Sequence, residues 1–513
     1  MNDRKKLSRT GAYLINAVLL SAVTVAMRAV SVGFSAYVSR KIGSEAVGLF
    51  SLVMSIYALG LTLATSGVNL AAVRMVSERK ALCAASGLDE RQTGAALKAE
   101  MRGCIKYSLF FGFFAGALVF ILSDVIGIAV LCDARTVPSL KILSLSLPAI
   151  ALCSALSGYF TGMRKIVKNA AVSIWEQFIR ISLTGAAIVM IAPAGIEYAL
   201  IAVVGGDAVS EAAALLAAYI LYKTDKDVRG IKPKKEGGSL RRAAAVALPV
   251  AVGSYVRQAL VCAEHLAIPA GLKKSGVGAD SAIASYGILH GMAFSLIFFP
   301  ASVISAFASL LVPELSSFAA LGDREKILRT TERVICFSIM FSVGVAAVFS
   351  AFGSELGVSL YKSAEAGRYI VIMAPLVPVM YLDTAVDSML KGLSQQVYCM
   401  RVNILDACLS LLLVLTLVPR MGVGGYILCV YITEIVNAAL SLSRLLSVTG
   451  LRFRAVWLLV PAASAALAVS VCRASLSWLS KTVYSPLGIL AALTIYLVPT
   501  LLFSGTYIKL SRK

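Results

Sequence analysis

The sequence predicts an all-α integral membrane protein with fourteen transmembrane helices. Of its 513 residues, 59% are hydrophobic and 15% are charged, and the mean hydropathy is +0.85. A soluble globular chain carries about 25% charged residues. The apolar runs do not alternate and are long enough to cross a hydrocarbon core of ~30 Å as helices, unlike outer-membrane strands of ~10 residues. In such a protein, basic residues mark the loops that stay in the cytoplasm. The net charge of +21 is therefore interpreted as a topology signal, and no nucleic-acid partner is expected.

The predicted spans follow these runs in chain order. They cover residues 13–38, 47–73, 104–123, 138–161, 170–192, 196–222, 243–269, 283–312, 331–351, 368–391, 400–419, 423–446, 455–475 and 484–507. Lys and Arg favour one set of alternate loops over the other by about three to one, which places that set in the cytoplasm. We therefore expect a multi-pass protein of the cytoplasmic membrane with both termini in the cytoplasm.

The chain divides into two halves of six spans at the basic loop 223–242. The predicted domains are an N-lobe at 1–222, this cytoplasmic linker, a C-lobe at 243–447, and spans 13 and 14 with the tail at 448–513. Four residue pairs match at an offset near 230: Arg28 and Arg257, Pro148 and Pro378, Gly162 and Gly392, and Glu176 and Asp406. Repeats of six spans share one orientation, and this arrangement predicts a central cavity between two bundles.

Arg28 and Arg257 are the strongest candidates for binding substrate, because each lies deep in the first helix of its half. A guanidinium at bilayer depth costs about 2.5–3.5 kcal/mol on insertion scales and persists where it faces protein or a watery cavity. The planar guanidinium matches phosphate oxygens, so two such arginines could clamp a diphosphate. The alternative is a structural ion pair with a carboxylate on a neighbouring helix.

Glu176 and Arg180 form a second candidate at spacing i, i+4 in span 5. They either satisfy each other, or Glu176 binds a coupling cation while Arg180 takes substrate charge. Asp406, the repeat partner of Glu176, has serine four residues later.

Further acidic residues are candidates for coupling transport to Na+ or H+. Asp383 and Asp387 lie at i, i+4 in span 10, where two close carboxylates repel, although a proline-bent helix could open them to solvent. Glu264 shares a helix face with Arg257, seven residues earlier. Asp207, Glu211 and Glu434 are weaker candidates. We expect no other cofactor, no metal site and no catalytic residue, since the chain carries no nucleotide-binding, nucleophile or zinc motif.

Several stretches carry a resemblance to a known family. They are MRAVSVGFSAYVSRKIGSEAVGLFSLVMSIYALGLTLATSGVNLAAVRMVSE (27–78), ALSGYFTGMRK (155–165), IWEQFIRI (174–181), YGILHGMAFSLIFFPASVISAFASLLVPELS (286–316) and APLVPVMYLDTAVDSMLKGLSQQ (374–396). In their order and spacing the chain resembles polysaccharide transporters of the MOP superfamily, and within them the stage V sporulation protein B group, relatives of the lipid II flippase MurJ.

The resemblance implies a two-lobed alternating-access transporter for a polyprenyl-diphosphate-linked sugar. Arg28 matches the cavity-facing arginine of span 1 in that family, whereas Ser157 stands where the family commonly has an arginine. The expected substrate is a peptidoglycan, spore-cortex or polysaccharide precursor, with membrane lipids and cell-wall synthesis proteins as partners. Two rivals remain: a cation-coupled multidrug exporter of the same superfamily, and a non-transporting membrane scaffold for wall or sporulation enzymes.

Overall fold

The computed structural model describes residues 2–87, 89–231, 238–452, 454 and 456–478, and each secondary-structure element in this part of the chain is a helix. The α-helices are α1 (Asn2–Thr65), α2 (Val68–Ala85), α3 (Glu90–Val125), α4 (Val137–Gly162), α5 (Ile166–Ile191), α6 (Ile196–Lys223), α7 (Ser239–Lys274), α8 (Ala279–Tyr286), α9 (Phe294–Ala320), α10 (Arg324–Tyr361), α11 (Ala364–Met373), α12 (Val377–Gly392), α13 (Gln396–Thr449) and α14 (Val456–Trp478). Two π-helical segments, Ile126–Val130 and Gly287–Ala293, extend α3 and join α8 to α9.

Nine helical stretches in the described part are long and apolar enough to cross a membrane, and the bent α7 raises that number to ten. Two of the nine contain a glycine with non-helical backbone angles, Gly43 in α1 and Gly422 in α13. These glycines fall between predicted spans 1 and 2 and between spans 11 and 12. The all-α membrane fold is confirmed. The count of fourteen stays a prediction, and span 484–507 lies outside the described residues.

The described residues form two compact units. The first unit contains Lys41–Lys273 and Gly278–Gly287, and the second contains residues 2–40, 274–277 and the described residues from 288 onwards. Their limits differ from those of the predicted lobes. The beginning of α1 belongs to the second unit, and α7 up to Lys273 belongs to the first, where its N-terminal part packs against α3 and the start of α2.

The core of the first unit lies among α2, α3, α4 and α6. Tyr159 and Phe160 of α4 are fully buried, and the Tyr159 ring meets the edge of Tyr222. Small residues allow close helix contacts: a Cβ atom on Gly158 would lie 2.7 Å from the carbonyl oxygen of Asn69. Such close approach is how helices associate in lipid, where apolar burial supplies little driving force.

In the second unit, α10 packs against α9, α11, α12 and α14. Gly357 permits the contact with α11, because a Cβ there would lie 2.2 Å from the backbone nitrogen of Gly367. The buried Tyr381 of α12 donates its hydroxyl to the carbonyl oxygen of Ile297 in α9. These contacts hold the later helices together as a bundle of their own.

Both described ends of the linker 223–242 are attached to the first unit. At its start, Asp225 pairs with Lys165 and lies 2.7 Å from Lys168, and the Asp225 side chain is only 1% exposed. At its end, Arg242 lies 2.8 Å from Glu100 of α3, a carboxylate that is 2% exposed. The Lys98 ammonium also donates to the carbonyl oxygen of Ile231 at 2.6 Å. The linker is therefore fixed to one unit on either side of residues 232–237.

Candidate functional site

A cavity of about 670 Å³ lies within the first unit. Its walls come from the α1–α2 junction, α4, α5, α6 and α7. The lining residues are Leu61, Thr62, Thr65, Gly67, Asn69, Ile150, Cys153, Ser154, Ser157, Asn169, Val172, Ser173, Glu176, Glu211, Ala251, Ser254, Arg257 and Gln258. Most of these side chains are hydroxyls, amides or charged groups, so the cavity is polar although the helices around it are apolar.

One wall is made by a helix that breaks between Thr65 and Val68. Ser66 and Gly67 take positive φ angles of 42° and 71°, which separates α1 from α2. Glycine adopts this backbone without penalty, and a Cβ on Gly67 would lie 2.9 Å from the carbonyl oxygen of Ala247 in α7. Discontinuous helices inside membrane proteins occur where backbone lines a cavity.

A second wall is α7, which bends by 45° at Pro249. Past the bend, Ala251, Ser254 and Gln258 present one helical stripe to the cavity. Arg257 also lines it, and among the described residues no carboxylate lies within ion-pair distance of this guanidinium. Its charge therefore faces the cavity without a fixed counter-ion, which leaves its hydrogen-bond donors available to an anionic ligand.

Arg180 of α5 has the reverse arrangement, because three carboxylates surround it. It contacts Glu176 on its own helix, and it lies 3.2 Å from Asp207 and 3.6 Å from Glu211, both in α6. All four side chains are 19–28% exposed. One guanidinium among three ionised carboxylates leaves a net charge of −2, which is costly at this depth unless a proton or a cation is taken up.

The structure thus joins two predicted candidates to two weaker ones. The local Glu176–Arg180 pair forms, and Asp207 and Glu211 enter the same cluster from α6. Glu176 and Glu211 also line the cavity. The cluster and Arg257 consequently border one polar space within the first unit.

The remaining candidates lie elsewhere. Arg28 is an exposed residue of α1 in the second unit, so it does not share a unit with Arg257. Within the described part of the chain, Arg28 has no carboxylate within ion-pair distance. Glu264 is a half-buried residue of α7 and is not among the residues that line the cavity.

Three acidic candidates belong to the second unit. Asp383 accepts a hydrogen bond of 2.9 Å from the side-chain amide of Asn437. Asp387 pairs with Lys391 at 2.6 Å. This i, i+4 pair gives Asp387 a counter-charge, and the like charge of Asp387 still acts on Asp383. Asp406 is half-buried in α13.

Sequence reasoning missed the residues that shape the cavity without carrying charge. Ser66, Gly67, Asn69 and Tyr255 were not singled out. The sequence Thr-Ser-Gly at 65–67 is the signal that could have found the break, since Ser and Gly are typical of turns.

Comparison with known proteins gives related sequences and folds. The family described as "Polysaccharide biosynthesis protein" matches residues 13–319. Stage V sporulation protein B of Bacillus subtilis (strain 168) is 26% identical over 431 residues, 82% of this chain and 80% of that protein. Sporulation protein YkvU of the same organism is 23% identical over 243 residues, 45% of this chain and 52% of that protein.

Two solved structures show the fold. One is described as "Lipid II flippase MurJ, inward closed conformation"; it has a TM-score of 0.69 at 12% identity and covers 97% of this chain and 100% of its own. The other is a multidrug resistance MATE family transporter of the MOP superfamily, inward-facing, with a TM-score of 0.64 at 13% identity over 85% of this chain and 100% of its own.

Proposed function

Because the chain belongs to the polysaccharide biosynthesis protein family, we propose that it is an alternating-access flippase for a polyprenyl-diphosphate-linked sugar. In this proposal the head group crosses from the inner to the outer leaflet of the cytoplasmic membrane, and the lipid tail stays in the bilayer. The sugar belongs to a peptidoglycan, spore-cortex or polysaccharide precursor. We also propose that the chain crosses the membrane fourteen times and has both termini in the cytoplasm.

Family and fold already establish the coarser picture. The resemblance noted in the sequence is confirmed, and the chain is a multi-pass membrane protein with the fold of MOP-superfamily transporters. The matched family and folds are those of transporters and flippases, so the prediction that the chain is not an enzyme is confirmed as well.

The observation that carries the proposal is the position of Arg257. Its guanidinium lines a polar cavity inside a membrane-spanning unit, and among the described residues it has no carboxylate counter-ion. Arg257 is exposed to this space, so its guanidinium is accessible to an anion that enters the cavity. A diphosphate offers two charged groups whose oxygens suit the guanidinium fork. Arg28 is proposed as a second such group.

The uncharged walls suit the sugar. Hydroxyl groups of Thr62, Ser154 and Ser173 and the amides of Asn169 and Gln258 line the same cavity. Proteins bind sugars through hydrogen bonds to such groups. When the sugar displaces water from the cavity, its hydroxyl groups replace the hydrogen bonds that water made to these side chains. The cavity of about 670 Å³ falls in the 300–1,000 Å³ range typical of small-molecule sites.

The cluster around Arg180 is proposed as a place where transport is coupled to Na+ or H+. Glu176 and Glu211 border the cavity and contact Arg180. A change in their charge would therefore change their electrostatic repulsion of an anionic ligand in the cavity. Asp383, Asp387, Asp406 and Glu264 remain further proposals for coupling.

The acidic cluster also supports a second candidate function. A cation-coupled multidrug exporter of the same superfamily would use carboxylates such as Glu176 and Glu211 to attract cationic compounds, and the MATE fold is shared. Under that alternative, loss of Arg257 leaves efflux of a cationic dye intact, and loss of Glu211 abolishes it.

Leaflet translocation in vesicles tests the proposal. Purified protein is reconstituted, and the movement of a dye-labelled polyprenyl diphosphate carrying one N-acetylhexosamine is followed. We expect Arg257→Ala to slow translocation about 10-fold or more, from the loss of a charge-assisted contact, with Arg257→Lys intermediate. The matched control is Arg329→Ala, which removes a surface arginine paired with Glu325. Unchanged translocation in Arg257→Ala would refute the proposed role.

A further inference from the structure

Three hydroxyl groups join α7 to the break between α1 and α2. Ser66 Oγ lies 2.8 Å from the Tyr107 hydroxyl and also contacts the Tyr255 hydroxyl. The Tyr107 hydroxyl donates to the carbonyl oxygen of Ser66 at 3.1 Å. Ser66 and Tyr107 are 0% and 2% exposed. Breaking the helix frees a carbonyl group that no water reaches, and Tyr107 satisfies it.

The protons in this network can be assigned by counting donors. Each hydroxyl has one proton to give. With the Tyr107 proton on the Ser66 carbonyl, Tyr255 donates to Ser66 Oγ and Ser66 donates to the Tyr107 oxygen. Tyr255 is thus the member of the network that ties α7 to the broken helix.

Tyr255 and Arg257 lie on opposite flanks of the cavity-facing stripe of α7. At about 100° per residue, Ala251, Ser254 and Gln258 form the stripe, with Tyr255 beside one edge and Arg257 beside the other. A rotation of α7 about its own axis would therefore swing Arg257 into or out of the cavity wall. A fixed bond at Tyr255 opposes that rotation.

We propose that Tyr255 is a positioning residue that holds Arg257 at the cavity through its hydrogen bond to Ser66. The proposal rests on the proposed function, in which Arg257 binds the diphosphate. The anchor lies on the same broken helix that lines the cavity through Thr65, Gly67 and Asn69. The bond thus sets the distance between the two walls as well as the orientation of Arg257.

Removal of one oxygen atom tests the proposal. Tyr255→Phe keeps the ring and deletes the bond to Ser66. We expect the concentration of the dye-labelled polyprenyl diphosphate N-acetylhexosamine needed for half-maximal translocation to rise roughly 3- to 10-fold, the effect of one net hydrogen bond. The matched control is Tyr431→Phe, which removes a tyrosine hydroxyl that donates to the carbonyl oxygen of Ile372 in the second unit. An effect of Tyr255→Phe no larger than that of the control would overturn the proposal.

A double-mutant cycle separates positioning from a general loss of structure. If Tyr255 acts through Arg257, Tyr255→Phe has no further effect on half-saturation once Arg257→Ala is present. Effects that multiply in the double variant would contradict the proposal, because Tyr255 would then act on something else. If Arg257→Ala alone leaves half-saturation unchanged, the proposed role of Arg257 in binding the diphosphate is wrong. The positioning role of Tyr255 is then decided by measuring the exposure of residue 257 directly.

The position of residue 257 can be measured without substrate. In a background with the ten native cysteines replaced, Arg257→Cys places a thiol at the cavity, and its rate of reaction with a water-soluble thiol reagent reports its exposure. We expect Tyr255→Phe, and independently Ser66→Ala, to change that rate at least about 3-fold, whereas Tyr431→Phe does not. Equal rates in all backgrounds would overturn the proposal even if translocation had changed.

Discussion

Arg180 and Arg257 are two arginines in apolar helices of one unit, and their surroundings are opposite. Arg180 lies among Glu176, Asp207 and Glu211, whereas Arg257 borders the cavity and, among the described residues, has no carboxylate counter-ion. A half-buried arginine with fixed partners, such as Arg180, contributes charge balance to the fold. An exposed arginine without a carboxylate partner, such as Arg257, offers an open site for an anion. The comparison explains why two residues that look alike in sequence are expected to differ in what their loss does.

The largest effect is expected at Arg180. Arg180→Met would leave three carboxylates close together without their cation, which costs about 3–5 kcal/mol in the free energy of unfolding. Thermal unfolding in detergent measures this loss, and adding Glu176→Gln should recover part of it by removing one negative charge. Arg257→Met is the control, with a change expected within about 0.5 kcal/mol. Equal destabilisation by the two arginine variants would break the comparison.

The next effect concerns the cavity wall at the break between α1 and α2. Gly67→Ala forces a Cβ into a left-handed backbone and to 2.9 Å from the carbonyl oxygen of Ala247. We expect a loss of about 1–2 kcal/mol in the free energy of unfolding and slower translocation, because α7 must shift. Gly205→Ala is a matched control in α6, where an added Cβ meets nothing within 4 Å. Normal stability and transport in Gly67→Ala would show that the close contact does not hold α7 in place.

The smallest effect is a pH dependence outside the membrane-spanning helices. Burial alone would raise the pKa of Asp225, but its bonds to Lys165 and Lys168 bring the pKa below the usual value. A lowered pKa contributes stability above the usual aspartate pKa of about 4, and this stability is lost as the pH falls below it. We expect Asp225→Asn to be less stable than the parent protein at pH 7 and the difference to shrink towards pH 3. A difference independent of pH would mean that packing, not the ion pairs, holds the linker.

Much of the fold was accessible from sequence because span length and hydropathy follow directly from bilayer thickness. The Glu176–Arg180 pair was equally accessible, since i, i+4 spacing on one helix fixes the contact. The entry of Asp207 and Glu211 into that cluster was not, because it depends on how α5 packs against α6. The pairing of Asp387 with Lys391, by contrast, follows from the same i, i+4 spacing and was accessible from sequence.

The cavity itself lay beyond sequence reasoning for a different reason. Its shape depends on a break at Ser66 and Gly67 and on a bend at Pro249. Hydropathy does not detect the break at Ser66 and Gly67, because it lies inside an apolar run. The bend is indicated by Pro249 itself, since a proline within a span removes a backbone donor and kinks the helix, but the position of the bent helix relative to the break depends on packing. The division into units was not accessible from sequence either. The basic loop 223–242 marks a change in composition, but its contacts to Glu100, Lys165 and Lys168 attach it to the first unit. A scaffold function that relies on this loop would have to work through a segment already bound at both described ends.

Direct binding of a diphosphate lipid tests the central claim most directly. Affinities of the detergent-solubilised protein for polyprenyl diphosphate and polyprenyl monophosphate are compared with those of Arg257→Ala. The account predicts that the variant binds the diphosphate about 10- to 100-fold more weakly and discriminates less between the two lipids. Unchanged affinity and unchanged discrimination would contradict it, because Arg257 would then contact no phosphate.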